Sequence, residues 1–110
     1  MPSFITDAEV EKALFWLAEN AGAAAKARAE RLYVEDYARV LKARLMSEHN
    51  NLSAVLQERQ ALSDPRFQQH LEVIRTAVEV DERNRFLRSA AEAKIEAWRT
   101  MAATERAMKL

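Results

Sequence analysis

The sequence predicts an all-α fold, an antiparallel hairpin of two long helices, and three observations carry that prediction. Residues 7–46 and 65–107 are of nearly equal length, and together they contain one glycine, Gly22, and one proline, Pro65, at the first position of the second stretch. Alanine, Leu, Glu, Arg and Gln fill most of both stretches, and these side chains lose little rotamer freedom on a helix. A single polar, turn-prone segment, residues 47–64, lies between them. At about 1.5 Å per residue each helix runs roughly 60 Å, and a short connection between two such helices makes them antiparallel neighbours.

The first helix has a sharp start. Thr6-Asp7-Ala8-Glu9 reads as a capping box, in which the Thr6 hydroxyl accepts the Glu9 amide and the Glu9 carboxylate reaches back to the Thr6 amide. Apolar residues then recur at Val10, Leu14, Leu17, Ala21, Ala25, Ala29, Leu32, Tyr33, Tyr37, Val40, Leu41 and Leu45. Steps of three and four trace one helical face. Ala21 to Ala25 carries only small side chains, so another helix can come close there. Gly22 costs about 1 kcal/mol against alanine inside a helix, which predicts a local weakness or bend.

The connector breaks at His49-Asn50-Asn51, and Ser53 is placed to cap a short helix over residues 54–61. Ser63-Asp64-Pro65 then starts the second long helix, because proline fits the first helical position and acids suit the N-terminus. Its apolar positions include Phe67, Leu71, Ile74, Ala77, Val78, Phe86, Leu87, Ala91, Ile95 and Trp98. Folding the chain about a midpoint near residue 56 sets Trp16 opposite Trp98 and Tyr37 opposite Val78. An aromatic cluster of Phe15, Trp16 and Trp98 is then expected at the open end. The whole of 1–110 reads as a single helical-hairpin domain. Two helices bury only one seam, and thin chains stabilise themselves poorly. A homodimer forming a four-helix bundle is therefore expected.

Composition removes several functional classes. Seventeen basic and seventeen acidic side chains give a net charge of zero, so overall charge does not steer the chain to nucleic acid or anionic membrane. There is no cysteine, which excludes disulfides and thiolate metal sites. No run approaches the ~18 apolar residues of a membrane span. The N-terminal residues lack the basic and apolar regions of a secretory leader, and a soluble, cytoplasmic protein without membrane contact is expected.

Enzyme chemistry finds no foothold. His49 and His70 are the only histidines, and neither follows a glutamate by three residues as a bundle metal site requires. The serines sit in no strained nucleophile turn, and no glycine-rich loop offers to cradle phosphate. No cofactor and no enzyme activity is expected.

Two surfaces stand out as binding candidates. Asp81-Glu82-Arg83-Asn84-Arg85-Phe86-Leu87-Arg88 interrupts the apolar stripe of the second helix, where position 81 and one of Asn84 or Arg85 should face the seam, opposite Arg28, Glu30, Arg31, Glu35 and Asp36 of the first. Such charges fix the register of a seam, as polar seam residues do in coiled coils. Alternatively Arg28, Arg31, Arg83, Arg85 and Arg88 form a patch for phosphate or for a protein partner. The second candidate is the connector surface of His49, Asn50, Asn51 and Leu52. Arginine outnumbers lysine by more than two to one, an excess that a GC-rich coding sequence also produces.

The words Gln57-Glu58-Arg59-Gln60-Ala61, Ser63-Asp64-Pro65 and Glu96-Ala97-Trp98-Arg99 resemble small, uncharacterised all-helical phage and prophage proteins encoded among replication and recombination genes. The resemblance covers about the C-terminal two thirds. It implies an accessory role in phage DNA recombination or replication and carries over no catalytic residue.

Overall fold

A computed structural model describes residues 5–109; the reading of the extreme N-terminus and the last residue of the tail, Leu110, lie outside the described residues. Three helices follow one another: α1 (Asp7–Ser47), α2 (Ala54–Ser63) and α3 (Pro65–Lys109). Apart from Ile5, every described residue outside them belongs to a cap, a turn or a bend. The fold is all-α, two long helices with a short one between them.

Each helix begins where local chemistry satisfies its free amides. Thr6 Oγ1 accepts the Glu9 amide at 3.1 Å, the half of the capping box that holds the first turn. α1 passes through Gly22 without ending, and no glycine takes a positive φ. It closes through tight bonds from the Glu48 amide to Leu45 O and from the His49 amide to Met46 O. Ser53 caps α2 in an extended conformation, its Oγ accepting from the Leu56 amide at 3.4 Å. A single residue, Asp64, separates α2 from α3. Its carboxylate accepts the Arg66 amide at 2.8 Å, and Pro65 occupies the first helical position, where the missing N–H costs nothing.

The chain forms two compact units. In the unit Lys26–Glu82, α3 returns antiparallel to α1: Arg31 meets Asp81, Val34 meets His70, and Glu48 meets Arg66. Leu45, Ala61 and Phe67 form its core, with Ala38, Leu41 and Met46 packed against them. Ala61 of α2 is fully enclosed, so the short helix is pinned by a residue too small to hold the long ones apart. The other unit joins the chain up to Ala25 with the chain from Arg83 onward. There Val10, Ala13 and Ala91 are buried, and the Trp98 indole N–H donates to Asp7 Oδ1 at 2.8 Å.

Burial in each helix follows alternating steps of three and four, the heptad pattern of a two-helix seam. In α1 the seam runs Val10, Ala13, Leu17, Asn20, Ala24 in one unit and Ala27, Arg31, Val34, Ala38, Leu41, Leu45 in the other, with Glu9, Trp16, Tyr37, Lys42 and Met46 half-buried beside it. In α3 they include Phe67, His70, Ile74, Ala77 and Asp81, and, in the other unit, Ala91, Ile95 and Trp98.

This seam corrects the stripe expected from the apolar residues. Leu14, Leu32, Tyr33 and Val40 lie outside it and are exposed, while alanines, Asn20 and Arg31 occupy it. Phe15 of the expected aromatic cluster is corrected with it, whereas Trp16 and Trp98 are each half-buried. Phe15 falls between the seam positions Ala13 and Leu17, on the far side of α1, and stands 67% exposed. The hydrogen bond of Trp98 goes to Asp7.

Candidate functional site

Electrostatics concentrates at one place in the Lys26–Glu82 unit. Arg31 occupies a seam position of α1, and its guanidinium bonds Glu35 at 3.1 Å, Asp81 at 3.1 Å and Glu82 at 2.8 Å. Asp81 is 2% exposed, the most buried charged side chain described. These bonds raise the Arg31 pKa, Glu82 contributing most and Asp81 next. An always-charged guanidinium with a planar fork of donors suits such a cluster. Three carboxylates surround one cation, so this part of the expected arginine patch is already neutralised.

The remaining patch candidates are dispersed. Arg28 is exposed and lies in the same unit as Arg31. Arg83, Arg85 and Arg88 belong to the other unit, and all three are exposed. Arg88 stands 3.8 Å from Glu92. At 100° per residue Arg85 and Arg88 share one side of α3, whereas Arg83 projects from another.

The connector surface is organised by ion pairs beside it. Arg66 grips Glu48 at 2.7 Å and Asp64 at 2.9 Å, tying the end of α1 to the start of α3. The pKa values of Glu48 and Asp64 are lowered, in each case mainly by the side-chain hydrogen bond from Arg66. His49 and Leu52 are half-buried in the turn, and Asn50 and Asn51 are exposed. The Leu52 carbonyl accepts from the Gln57 side chain at 3.0 Å. Much of the polarity of this segment is spent on closing the turn.

His70 is a packing residue. Its Nε2 lies 2.7 Å from Val34 O, and a carbonyl only accepts, so Nε2 carries the proton. The ring meets Tyr37 edge-on at 5.3 Å, and Tyr37 stacks with Tyr33 at 6.2 Å. Among the described residues no group of three or more His, Asp or Glu side chains is arranged to hold a metal ion.

The feature that sequence reasoning missed is apolar. Beside the seam of the Lys26–Glu82 unit runs an open groove of about 320 Å³, lined by Ala27, Glu30, Val73, Thr76, Ala77 and Val80. Val73 and Val80 are each 47% exposed. They lie seven residues apart, one position before the seam residues Ile74 and Asp81. The α1 side of this face continues at helical spacing through Tyr33 and Tyr37. A signal was present: Val73, Val80 and Leu87 recur every seven residues, a second stripe next to the first.

No family model, curated protein or solved structure matches the chain. Among the described residues no helix is long and apolar enough to cross a membrane.

Proposed function

We propose that this chain is a non-enzymatic helical interaction or scaffold protein that self-associates into a four-helix bundle. One observation carries the reading. Large apolar side chains of the Lys26–Glu82 unit, among them Leu32, Tyr33, Val73 and Val80, are exposed, while the seam of that unit includes the small Ala27, Ala38 and Ala77. Burial contributes about 0.8 kcal/mol per CH₂, so these exposed side chains leave apolar stabilisation unused. Exposed apolar side chains of this size support a reading as a protein–protein interface.

The resemblance of residues 53–65 and 96–99 to small phage proteins makes an accessory role in DNA recombination or replication the specific form of the proposal. Direct nucleic-acid binding is the alternative reading. The exposure of Arg28, Arg83, Arg85 and Arg88 favours it, and the carboxylates around Arg31 weigh against it.

Sedimentation velocity over a wide concentration range tests the first reading. A species of about twice 12.6 kDa supports it, and a monomer throughout overturns it. Fluorescence anisotropy with labelled single- and double-stranded DNA at roughly 50 and 200 mM salt tests the alternative. Counterion release makes phosphate binding weaken steeply between those concentrations.

A further inference from the structure

We infer that the unit joining the chain up to Ala25 with the chain from Arg83 onward is a conformational gate. It opens as one piece under native conditions while the Lys26–Glu82 unit stays closed. The inference compares two parts of one chain and does not rest on self-association.

Burial is the first argument. Among the described residues of the gate the buried side chains are Val10, Ala13 and Ala91, two of them alanines. The Lys26–Glu82 unit buries Val34, Leu45, Ala61, Phe67 and Ala77. Apolar burial stabilises in proportion to the area removed from water, so one valine and two methyl groups hold far less than Val34, Leu45 and Phe67 together.

The second argument is where the weakness lies. Residues 85–90 of α3 are all exposed, so more than a full turn of helix passes without burying a side chain. In α1 the seam position of Asn20 is half-buried, and its side-chain amide donates to Trp16 O of the same helix rather than across the seam. Gly22 follows two residues later, inside the helix that glycine disfavours. Near the chain ends the bond from Trp98 Nε1 to Asp7 Oδ1 is exposed, and water competes for such a bond.

Opening has a structural consequence. Leu17, Ile95 and Trp98 are half-buried when the gate is closed, and parting the two helices uncovers them with Val10. Most helical stability in a protein comes from tertiary packing, so both helical segments lose protection when the seam parts. Proteins draw their moving and binding elements from the least stable part of the fold.

Native-state amide hydrogen exchange on the full chain, read residue by residue by NMR, tests the gate. The expected result is one common protection level for residues 13–24 and 84–98, at least about tenfold below that of residues 34–45 and 67–81. Equal protection in the two units overturns the inference. Protection that climbs steadily inward from the chain ends with no plateau is fraying, and also overturns it. Ala91→Gly weakens a buried seam position of the gate and should speed exchange about fivefold throughout the gate, leaving residues 34–45 and 67–81 unchanged. Faster exchange shared equally by both units, or confined to the turn around residue 91, contradicts a gate that opens as one piece.

Discussion

Arg31 and Asp81 face each other across the antiparallel helices of the Lys26–Glu82 unit, Nη1 to Oδ2 at 3.1 Å, each at a seam position where an apolar side chain would pack. The pair is asymmetric. Arg31 keeps Glu35 and Glu82 within bonding distance, whereas Asp81 is buried, with its side chain 2% exposed and held by Arg31.

The two halves of the pair are therefore expected to differ on substitution. Arg31→Met strands a buried carboxylate and lowers the urea midpoint more than Asp81→Asn, which keeps an acceptor facing the guanidinium. Replacing both residues, with Arg31→Met and Asp81→Leu, restores stability to the wild-type level or above, because two desolvated charges give way to packed apolar groups. The account assigns the pair to register, so the double variant should populate more than one oligomeric species. A single species with unchanged stability removes that role.

Gly22 offers a gain. It lies inside α1, and a methyl group added there meets nothing within 4 Å. Gly22→Ala should raise stability by about 0.5–1 kcal/mol, chiefly by restricting the unfolded chain. Denaturant unfolding measures it, and a loss of stability would show that α1 needs the glycine for a bend.

Leu45 and Phe15 separate core from surface. Leu45 is 2% exposed in the cluster with Ala61 and Phe67, and Leu45→Ala should cost about 2–4 kcal/mol. Phe15→Ala, on the far side of α1, should stay within about 0.5 kcal/mol of wild type. Equal effects at the two sites would restore the aromatic cluster that the sequence suggested.

These contrasts show what was legible before the structure. Thr6, Ser53 and Asp64-Pro65 mark helix starts by hydrogen bonding within three residues of themselves, and local signals of that kind survive in any context. Asp81 was correctly placed on the seam because the apolar stripe of the second helix breaks there. The seam of α1 was misread because Ala13, Ala24 and Ala27 carry little hydrophobic signal. The eye follows Leu14, Leu32 and Tyr33, which tertiary packing leaves outside. The groove beside Val73 was illegible for a related reason: its floor is alanine and threonine, and only the packing of α1 against α3 makes it concave. The arginines showed their charge in the sequence, but the carboxylates that neutralise Arg31 come from two helices fifty residues apart.

Acid should loosen the connector. Glu48 and Asp64 have folded-state pKa values below their ordinary values of 4.5 and 3.8 because Arg66 holds both as carboxylates. Depressed values mean that the unfolded chain binds protons first, so this contribution is complete above the ordinary values and is lost as pH falls through the lower folded ones. Both groups are solvent-accessible, and the contribution is correspondingly modest and screened by salt. Unfolding midpoints should hold steady from neutral pH to about 5 and decline below about 4. Arg66→Met should flatten the part of that decline due to Glu48 and Asp64.

The central claim, that exposed apolar side chains leave the chain dependent on a second copy, is tested most directly by thermal unfolding at different protein concentrations. The account predicts a Tm that rises by several degrees across a hundredfold increase in concentration, because folding and association are then one equilibrium. A Tm independent of concentration, in a chain that remains monomeric, would contradict it.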